Sequence, residues 1–402
     1  MSGQKFQRSC VTLAANQTNH EVCHLGQRPR VKSERGRVMD RKGVQNLSDG
    51  RVDVPAADGL VKMISPAPRA EWVAIMRSDP YALESQSPEW ADAMCDAHPL
   101  RDASRLYVTA GGRTLVLPML RRPLAVGFFT AEQSNPPACG LGGLLAAGGV
   151  QAGEVNAVLE DLAKRRVVVQ SVSPGPLEVD AWRDAHHPRA LVHPHHVHLL
   201  DLQGGWDEVW TQRFTKNSRR GVRTAERKGV TVERGTGGEL VPEFYALMER
   251  AVLRWARQQH EPAWLARRRL HRRDPREKFE AIGRRLGDRF QVWVARVDGR
   301  PAAACLVARG VNAHDFRGAM DERLKHYRAT DLIQARAIQD ACEARCRYYY
   351  LGESGTGTLG QFKERFGARR IVSPEFRFER LPVTRVERGI KTAVKKIIGF
   401  QD

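Results

Sequence analysis

The most constraining feature of the 402-residue sequence is an order of predicted strands and helices that occurs twice. In each half a hairpin signal between two strand-like runs comes first, Gly111-Gly112 in one half and Asp298-Gly299 in the other. A helix and a further strand follow in both halves, over 154–172 and over 329–351. This pattern predicts an α+β fold with two successive units, each with helices packed on a mostly antiparallel, mixed sheet.

Composition separates the two ends of the chain from these units. Residues 1–62 contain one aromatic side chain and eleven basic residues against six acidic ones, and so little apolar surface cannot offset the entropy of ordering, so we expect a disordered leader. We expect the first unit over 63–200 and the second over 201–380. Residues 381–402 form a basic amphipathic tail, which is typical of a helix that lies on an anionic membrane or packs on the first unit.

An excess of positive charge indicates the kind of partner. The chain has 65 basic and 46 acidic residues and a net charge of +19, which favours phosphates, nucleic acid or an anionic membrane surface. No segment approaches the roughly 18 apolar residues that span a bilayer, and residues 1–30 lack a secretion signal. The seven cysteines form no Cys-x-x-Cys pair, which is typical of a reducing compartment, so we expect a cytoplasmic protein.

Two segments concentrate the basic residues. We expect a helix over 206–228, and its spacing places several cations on one face: Arg213, Lys216, Arg220, Arg223 and Arg227, with Arg219 beside them. Because like charges at i and i+4 repel one another, this single sign favours an anionic partner over a merely solvated face. Residues 254–278 are also rich in arginine, and Pro262 and Pro275 predict a partly exposed loop there.

Other motifs predict no site of their own. Six histidines lie between residues 186 and 198, but Pro188 and Pro194 break any helix that could align them, and no cysteine is close in sequence, so we expect no metal site. Residues 352–358 are rich in glycine but lack the lysine of a phosphate-binding P-loop. No dinucleotide-binding motif or serine-hydrolase elbow is present either.

Several short motifs occur in an order that resembles a known family. They lie at 86–90, 140–143, 219–230, 294–304, 332–341, 350–354 and 360–368. The third reads Arg-Arg-x-x-Arg-x-Ala-x-x-x-Gly-Val, a signature of FemABX-like proteins in the GNAT-type acyltransferase superfamily. The resemblance covers about residues 64–380. It implies two tandem GNAT-like domains, with the end of the chain returning to the first, and transfer of an acyl or aminoacyl group to an amine.

The donor of that group stays open between acyl-CoA and aminoacyl-tRNA. GNAT enzymes that use acyl-CoA usually carry R/Q-x-x-G-x-G/A, where a helix N-terminus binds the pyrophosphate. In this sequence Ala329 fits the motif, but Leu324 stands in the Arg/Gln position and Tyr327 in the glycine position, where its ring hinders approach to the backbone. A tRNA donor would use the basic surface, but residues 254–278 lack the long helical arm of bridge-forming aminoacyltransferases.

The resemblance also implies which residues carry the reaction. Lys363 matches a lysine that bridge-forming relatives place near the reacting carbonyl, where a cation stabilises the oxyanion; the alternative is a surface lysine. Glu353 is the candidate acceptor of the amine proton, and the alternative is a loop residue that bonds nearby amides. The candidate substrate-binding residues are Arg219, Arg220, Arg223, Arg317, Tyr327, Arg328, Ser354 and Phe366.

The sequence therefore predicts an N-acyltransferase that moves an acyl group, such as acetyl, to the amine of an amino sugar, an amino acid or a cell-envelope or polysaccharide precursor. We expect no tightly bound cofactor, with acyl-CoA or aminoacyl-tRNA as co-substrate. The expected partners are a phosphate-bearing or lipid-linked acceptor, tRNA, and a membrane surface that the tail contacts. The alternatives are an aminoacyl-tRNA-dependent, peptide-bridge-type aminoacyltransferase and a non-catalytic nucleic-acid-binding protein.

Overall fold

A computed structural model of the protein describes residues 59–124, 129–134, 140–354 and 357–382, together with residues 389 and 392. Most of the expected leader and most of the expected tail therefore lie outside the described residues. The first strand begins at Leu60, inside the segment 1–62 that composition separates from the rest of the chain.

The first unit has eight strands and four α-helices among the described residues. The strands are β1 (Leu60–Ile64), β2 (Arg101–Asp102), β3 (Arg105–Thr109), β4 (Thr114–Leu117), β5 (Leu120–Pro123), β6 (Thr130–Gln133), β7 (Leu145–Ala146) and β8 (Val169–Val172), and the helices are α1 (Arg69–Ser78), α2 (Pro88–Ala97), α3 (Ala152–Lys164) and α4 (Val179–Arg183). Helix α2 begins as its sequence indicates, because the Ser87 side chain accepts a hydrogen bond from the Trp90 amide and Pro88 occupies the first turn.

The second unit has seven strands and seven α-helices in the described part. The strands are β9 (Leu191–Asp201), β10 (Thr231–Thr236), β11 (Phe290–Val297), β12 (Arg300–Arg309), β13 (Ala313–Met320), β14 (Tyr348–Glu353) and β15 (Arg369–Glu379), and the helices are α5 (Gly205–Glu208), α6 (Lys216–Arg227), α7 (Val241–Gln258), α8 (Ala263–Arg273), α9 (Arg276–Leu286), α10 (Ala329–Glu343) and α11 (Thr358–Glu364). Both predicted hairpins form, as β3–β4 and β11–β12.

One sheet runs through both units. Its eleven strands have the order β10-β11-β12-β13-β14-β9-β15-β8-β6-β5-β2, and a separate four-stranded sheet, β1-β3-β4-β7, belongs to the first unit. Within the described strands of the large sheet, the parallel pairs are β6–β8 and β13–β14, one in each unit. Strand β15 pairs with β8, so the end of the chain returns to the first unit as the resemblance implies. The predicted α+β fold is confirmed, with two successive units of mostly antiparallel, mixed sheet and packed helices.

A shared hydrophobic core joins the two units. Trp90 of α2 packs edge-on against Phe316 of β13, with 5.1 Å between ring centroids, and Phe279 of α9 belongs to the same buried cluster. On the other face of the sheet, α6 and α10 cover a second cluster that contains Tyr349 and Phe366. Helices thus bury both faces of this part of the large sheet, which explains why strands β11 and β12 are almost continuously apolar.

Two expectations about helices are wrong, and both errors have local causes. The segment 206–228 is not one helix: α5 and a π-helical turn at Val209–Arg213 end before Thr215, an extended residue whose side chain caps α6. The segment 254–278 is not a loop, because it contains the end of α7, all of α8 and the start of α9. Pro262 and Pro275 stand at the N-caps of α8 and α9, where a residue without an N–H starts a helix instead of breaking it.

Candidate active site

The parallel strands β13 and β14 separate after a short paired stretch. They pair only at Ala313–Tyr349 and His314–Tyr350, within the described residues. A bulge at Phe316 adds one residue to β13 opposite β12 and turns the strand away. Gly352 allows β14 to lie close to β13 where the two strands begin to separate, because a Cβ at position 352 would lie 3.2 Å from the Asp315 carbonyl oxygen. We call the resulting opening the β13–β14 cleft.

Lys363 lies at the narrow end of this cleft. Its side chain is only 7% exposed, and its ammonium donates a 2.9 Å hydrogen bond to the Glu353 carbonyl oxygen. A Cβ at Gly352 would lie 3.7 Å from the Lys363 nitrogen, so the ammonium borders the separating strands. The alternative of a surface lysine is therefore wrong for Lys363.

Glu353 is held by a histidine that joins three strands. His195 of β9 hydrogen-bonds the Glu353 carboxylate at 2.7 Å and the Glu375 carboxylate of β15 at 2.9 Å. Burial lowers the pKa of His195, but the hydrogen bonds to the two carboxylates outweigh it and raise this pKa to about 10. The imidazole is therefore protonated at neutral pH, and the Glu353 carboxylate that it contacts is stabilised as an anion, which makes it a weak proton acceptor.

Asp315 is a second carboxylate at the cleft, and it belongs to none of the motifs found in the sequence. It follows the last paired residue of β13 and is half-buried. Burial raises the pKa of Asp315 to about 7, although Gln334 and Lys363 act to lower it. A carboxyl group whose pKa lies near neutrality suits proton transfer at physiological pH. The only local signal for Asp315 is a carboxylate flanked by His314 and Phe316.

Two buried histidines beside the cleft are neutral. His198 lies 3.1 Å from the Ser354 hydroxyl, and burial together with the charge of Lys363 lowers the pKa of His198 to about 4. Burial, with Arg317 and Lys363, lowers the pKa of His314 to about 3. Because both imidazoles stay uncharged at neutral pH, they add no positive charge beside the Lys363 ammonium.

Several predicted substrate-binding residues contact the protein itself. Arg219 donates from one nitrogen to the carbonyl oxygens of Trp210, Thr211 and Phe214 at 2.7–2.9 Å, so it caps the π-helical turn. Phe366 is fully buried and packs edge-on against Phe214, with 5.0 Å between centroids. A side chain without exposed surface does not contact a substrate in this conformation, so we correct its role to support of α11.

Three more of the predicted substrate-binding residues contact the protein itself: Arg317, Ser354 and Tyr327. Arg317 lies 3.3 Å from the buried Asp274 carboxylate, which Arg273 and Lys278 also contact. The Ser354 hydroxyl is buried against His198. The Tyr327 ring packs at the edge of the second core cluster, with the Lys228 ammonium 5.3 Å from its centroid.

The N-terminus of α10, where CoA-dependent GNAT enzymes bind pyrophosphate, already holds a carboxylate. Asp331 in its first turn is buried and accepts a hydrogen bond from Arg328 at 3.1 Å, and Arg365 lies 3.6 Å away. Helix α6 packs directly against this end, since a Cβ at Gly221 would lie 2.6 Å from the Asp331 oxygen. Asp331 thus supplies the negative charge that this helix end favours.

The exposed face of α6 is the basic face that the sequence predicts, but it contains fewer basic residues than expected. Arg213 is not part of it, because its guanidinium donates to main-chain carbonyls, including that of Gln203 at 2.5 Å. The cations that remain exposed are Lys216, Arg220, Arg223 and Arg227. We call these four residues the α6 basic face. In the described part of the chain none of them forms an ion pair.

Comparison with known proteins identifies the class to which this fold and site belong. Residues 212–364 match the family model of the acetyltransferase (GNAT) domain. The structure of FemX superposes with a TM-score of 0.56 at 14% identity, covering 84% of this chain and 100% of FemX. A conserved protein of unknown function from Bacteroides thetaiotaomicron gives a TM-score of 0.46 at 12% identity over 77% of this chain and 97% of that one. A tandem GNAT protein from the clavulanic acid biosynthesis pathway gives 0.42 at 14% identity over 77% and 94%. No curated protein matches the sequence.

The chain therefore contains a GNAT-type acyltransferase domain. The GNAT domain falls in the second unit, which contains the β13–β14 cleft, and the fold as a whole is that of FemX. The predicted resemblance is confirmed for the GNAT domain and, at the level of the fold, for the likeness to FemX, and the non-catalytic alternative is set aside. None of the described helices is both long and apolar enough to cross a membrane.

Proposed function

We propose that the protein is an N-acyltransferase whose reaction centre is the β13–β14 cleft. The observation that carries this proposal is the buried Lys363 ammonium, held on the Glu353 carbonyl oxygen where the parallel strands separate. A cation fixed in a site with little water stabilises a developing oxyanion far better than one on the surface does. Asp315 supplies the second group that acyl transfer needs, a proton acceptor.

The chemistry then follows from these two side chains. The neutral amine of the acceptor attacks the acyl carbon, a C–N bond forms, and the carbonyl oxygen becomes an oxyanion that Lys363 stabilises. Asp315 accepts the proton that the attacking nitrogen loses. When the intermediate collapses, the bond from the acyl carbon to the donor's oxygen or sulfur breaks, and that proton passes to the departing group.

Glu353 takes a different role in this proposal from the one the resemblance suggests. Its carboxylate is bound by the protonated His195, which disfavours proton uptake. Its main-chain oxygen holds Lys363. We therefore assign Glu353 and His195 as positioning residues and Asp315 as the base.

The structure supports a second candidate function, which differs from the first in the donor of the acyl group. Asp331 places a carboxylate in the first turn of α10, which disfavours a pyrophosphate there, because two anions would lie close together. Helix α6 packs beside that helix end through Gly221, and the α6 basic face on its exposed side can bind several phosphates. These two features favour aminoacyl-tRNA over acyl-CoA, and make tRNA-dependent aminoacyl transfer the second candidate.

The acceptor belongs to the classes that the sequence suggests: an amino sugar, an amino acid or a cell-envelope or polysaccharide precursor that presents a free amine. Mass spectrometry of molecules that the purified protein retains is the first experiment, with small molecules and RNA analysed separately. Acyl-CoA and aminoacyl-tRNA are then supplied in parallel with mixtures of amine acceptors. The absence of an N-acylated product with every donor would contradict the proposal.

A charge reversal on α6 separates the two donors. The double variant Arg220→Glu with Arg223→Glu removes half of the α6 basic face and should raise the KM for aminoacyl-tRNA by about 100-fold, since several phosphate contacts are lost. A matched control, Arg284→Glu with Arg300→Glu, changes the same net charge at exposed residues away from α6. If both variants raise the KM equally, the effect is general electrostatics, and the α6 basic face does not bind the donor.

A further inference from the structure

Helices α7 and α8 form a hairpin whose end exposes two tryptophans. A loop of four residues, 259–262, joins the helices. Trp255, near the end of α7, is 38% exposed, and Trp264, in the first turn of α8, is 65% exposed. Leu265 beside it is half-buried. A large apolar side chain this exposed points to a surface that is covered by something else.

The same hairpin carries a large unbalanced positive charge. Residues 250–273 contain eight arginines and one acidic residue, Glu261, which is buried and paired with Arg269 at 2.5 Å. Arg254 and Arg273 have acidic partners elsewhere in the chain. The arginines without an ion pair in the described structure are Arg250, Arg257, Arg267, Arg268 and Arg272. Burial and the neighbouring Arg268 lower the pKa of Arg272, as expected where like charges are close together.

The apolar and cationic groups follow one another along α8. Trp264 stands in the first helical turn, and Arg267 and Arg268 lie one turn further, about 5 Å along the axis. Arg272 lies about 12 Å along the axis from Trp264. Between residues 258 and 265 there is no lysine or arginine. The end of the hairpin thus carries two exposed tryptophans beside polar residues such as Gln258 and His260, and on α8 the unpaired Arg267 and Arg268 stand behind it.

We propose that this hairpin docks the protein on an anionic lipid surface, with Trp264 inserted at the boundary between acyl chains and headgroups. If α8 enters by its N-terminal end, Arg267 and Arg268 stand about 5 Å behind Trp264 along the helix axis, where their long side chains reach the lipid phosphates. Tryptophan is the side chain best suited to that boundary, since its ring is largely apolar and its N–H needs a polar partner. Two exposed tryptophans next to unpaired arginines match the boundary of an anionic bilayer, where the rings enter the interface and the guanidinium groups meet the lipid phosphates.

Vesicle flotation with the full chain tests the proposal. We expect binding to vesicles of phosphatidylcholine with about one third phosphatidylglycerol, and little binding to phosphatidylcholine alone. Trp264→Ala should lower the partition coefficient by about tenfold. Arg267→Gln with Arg268→Gln should lower it by about 30-fold, about fivefold for each charge removed near the surface. These side chains are exposed or half-buried, so the variants should keep the fold, which a thermal unfolding scan checks.

A charge-matched control makes the result specific. Arg284→Gln with Arg300→Gln removes two exposed charges outside the hairpin and should change the partition coefficient by less than about threefold. Equal loss in both double variants, or full binding by Trp264→Ala, would overturn the proposal. So would binding of bulk tRNA that depends on Arg267 and Arg268 without any vesicle binding. The readout is independent of acyl transfer, so it stands or falls separately from the proposed function.

Discussion

The two units share one strand arrangement, but it leaves an open cleft in the second unit and a closed site in the first. Each has one parallel pair with a helix between its strands, β6–β8 with α3 and β13–β14 with α10. In the second unit the strands separate and leave the β13–β14 cleft. In the first unit residues 140–143 occupy the corresponding place: the Gly142 amide donates to the Ser173 carbonyl oxygen at 2.9 Å, and Gly142 bridges to Pro174 in parallel.

Each unit also places a carboxylate on the first strand of its parallel pair, and the surroundings tune the two differently. Glu132 of β6 is fully buried, and Arg105 and Arg121 contact it. Burial alone would raise the pKa of Glu132, but Arg105 and the other hydrogen-bond donors lower it. In the described part of the chain no guanidinium pairs with the carboxylate of Asp315 on β13, and burial raises the pKa of Asp315 to about 7. Glu132 therefore stays ionised and stabilises the first unit through its ion pairs, while Asp315 is able to exchange a proton near neutral pH.

The first unit nevertheless contributes to the active site. Ser85 and Gln86 bind the carbonyl oxygens of Leu141 and Gly142, which fixes the 140–143 loop. The other side of this loop reaches the second unit, since a Cβ at Gly140 would lie 3.5 Å from the His314 ring. The first unit therefore forms part of the wall of the β13–β14 cleft in the second unit.

The largest expected effect comes from removing the cation of the open cleft. With a donor and acceptor identified, Lys363→Ala should lower kcat by about 100- to 1000-fold, because an oxyanion loses its charged partner. The matched control is Lys164→Ala in α3 of the first unit, where the side chain is 70% exposed and pairs with Glu160; this change should leave kcat unaltered. Steady-state rates and circular dichroism of both variants check the result. An unchanged rate in Lys363→Ala would remove Lys363 from the mechanism.

The sequence could predict this lysine but not the groups around it. The hairpin turns, the Ser87 cap, the two-unit order and the motif that contains Lys363 are local signals. The contacts of His195 with Glu353 and Glu375 depend on β9 lying between β14 and β15, which are 158 and 180 residues away along the chain. No local pattern encodes such an arrangement. The prolines of the 254–278 segment misled for a related reason, since a proline at an N-cap and one inside a helix look alike in sequence.

The next effect concerns pH and tests the contrast between the two carboxylates. The proposed base must be ionised, so the rate should rise as the pH passes upward through about 7, the pKa of Asp315. Asp315→Asn should lower kcat by about 100-fold at pH 8 and remove this rise. Glu132→Gln should instead leave the pH dependence intact and lower the free energy of unfolding by about 3 kcal/mol, because Arg105 keeps a buried charge without its partner. If the rise through pH 7 persists in Asp315→Asn, another group is the base.

The smallest effect should come from the loop that closes the first unit. A Cβ at Gly142 would lie 2.5 Å from the Ser134 side chain and 2.8 Å from its carbonyl oxygen, so Gly142→Ala must displace the loop. We expect a loss of about 2 kcal/mol in the free energy of unfolding, as for other overpacked sites, and a decrease of a few-fold in kcat because the loop borders His314. Gly175→Ala is the control, since nothing lies within 4 Å of its Cβ and its φ of −65° suits any residue. Denaturant unfolding and steady-state rates measure both. A Gly142→Ala variant that loses stability but keeps the full rate would contradict this expectation. The 140–143 loop would then stabilise the fold without contributing to the wall of the β13–β14 cleft.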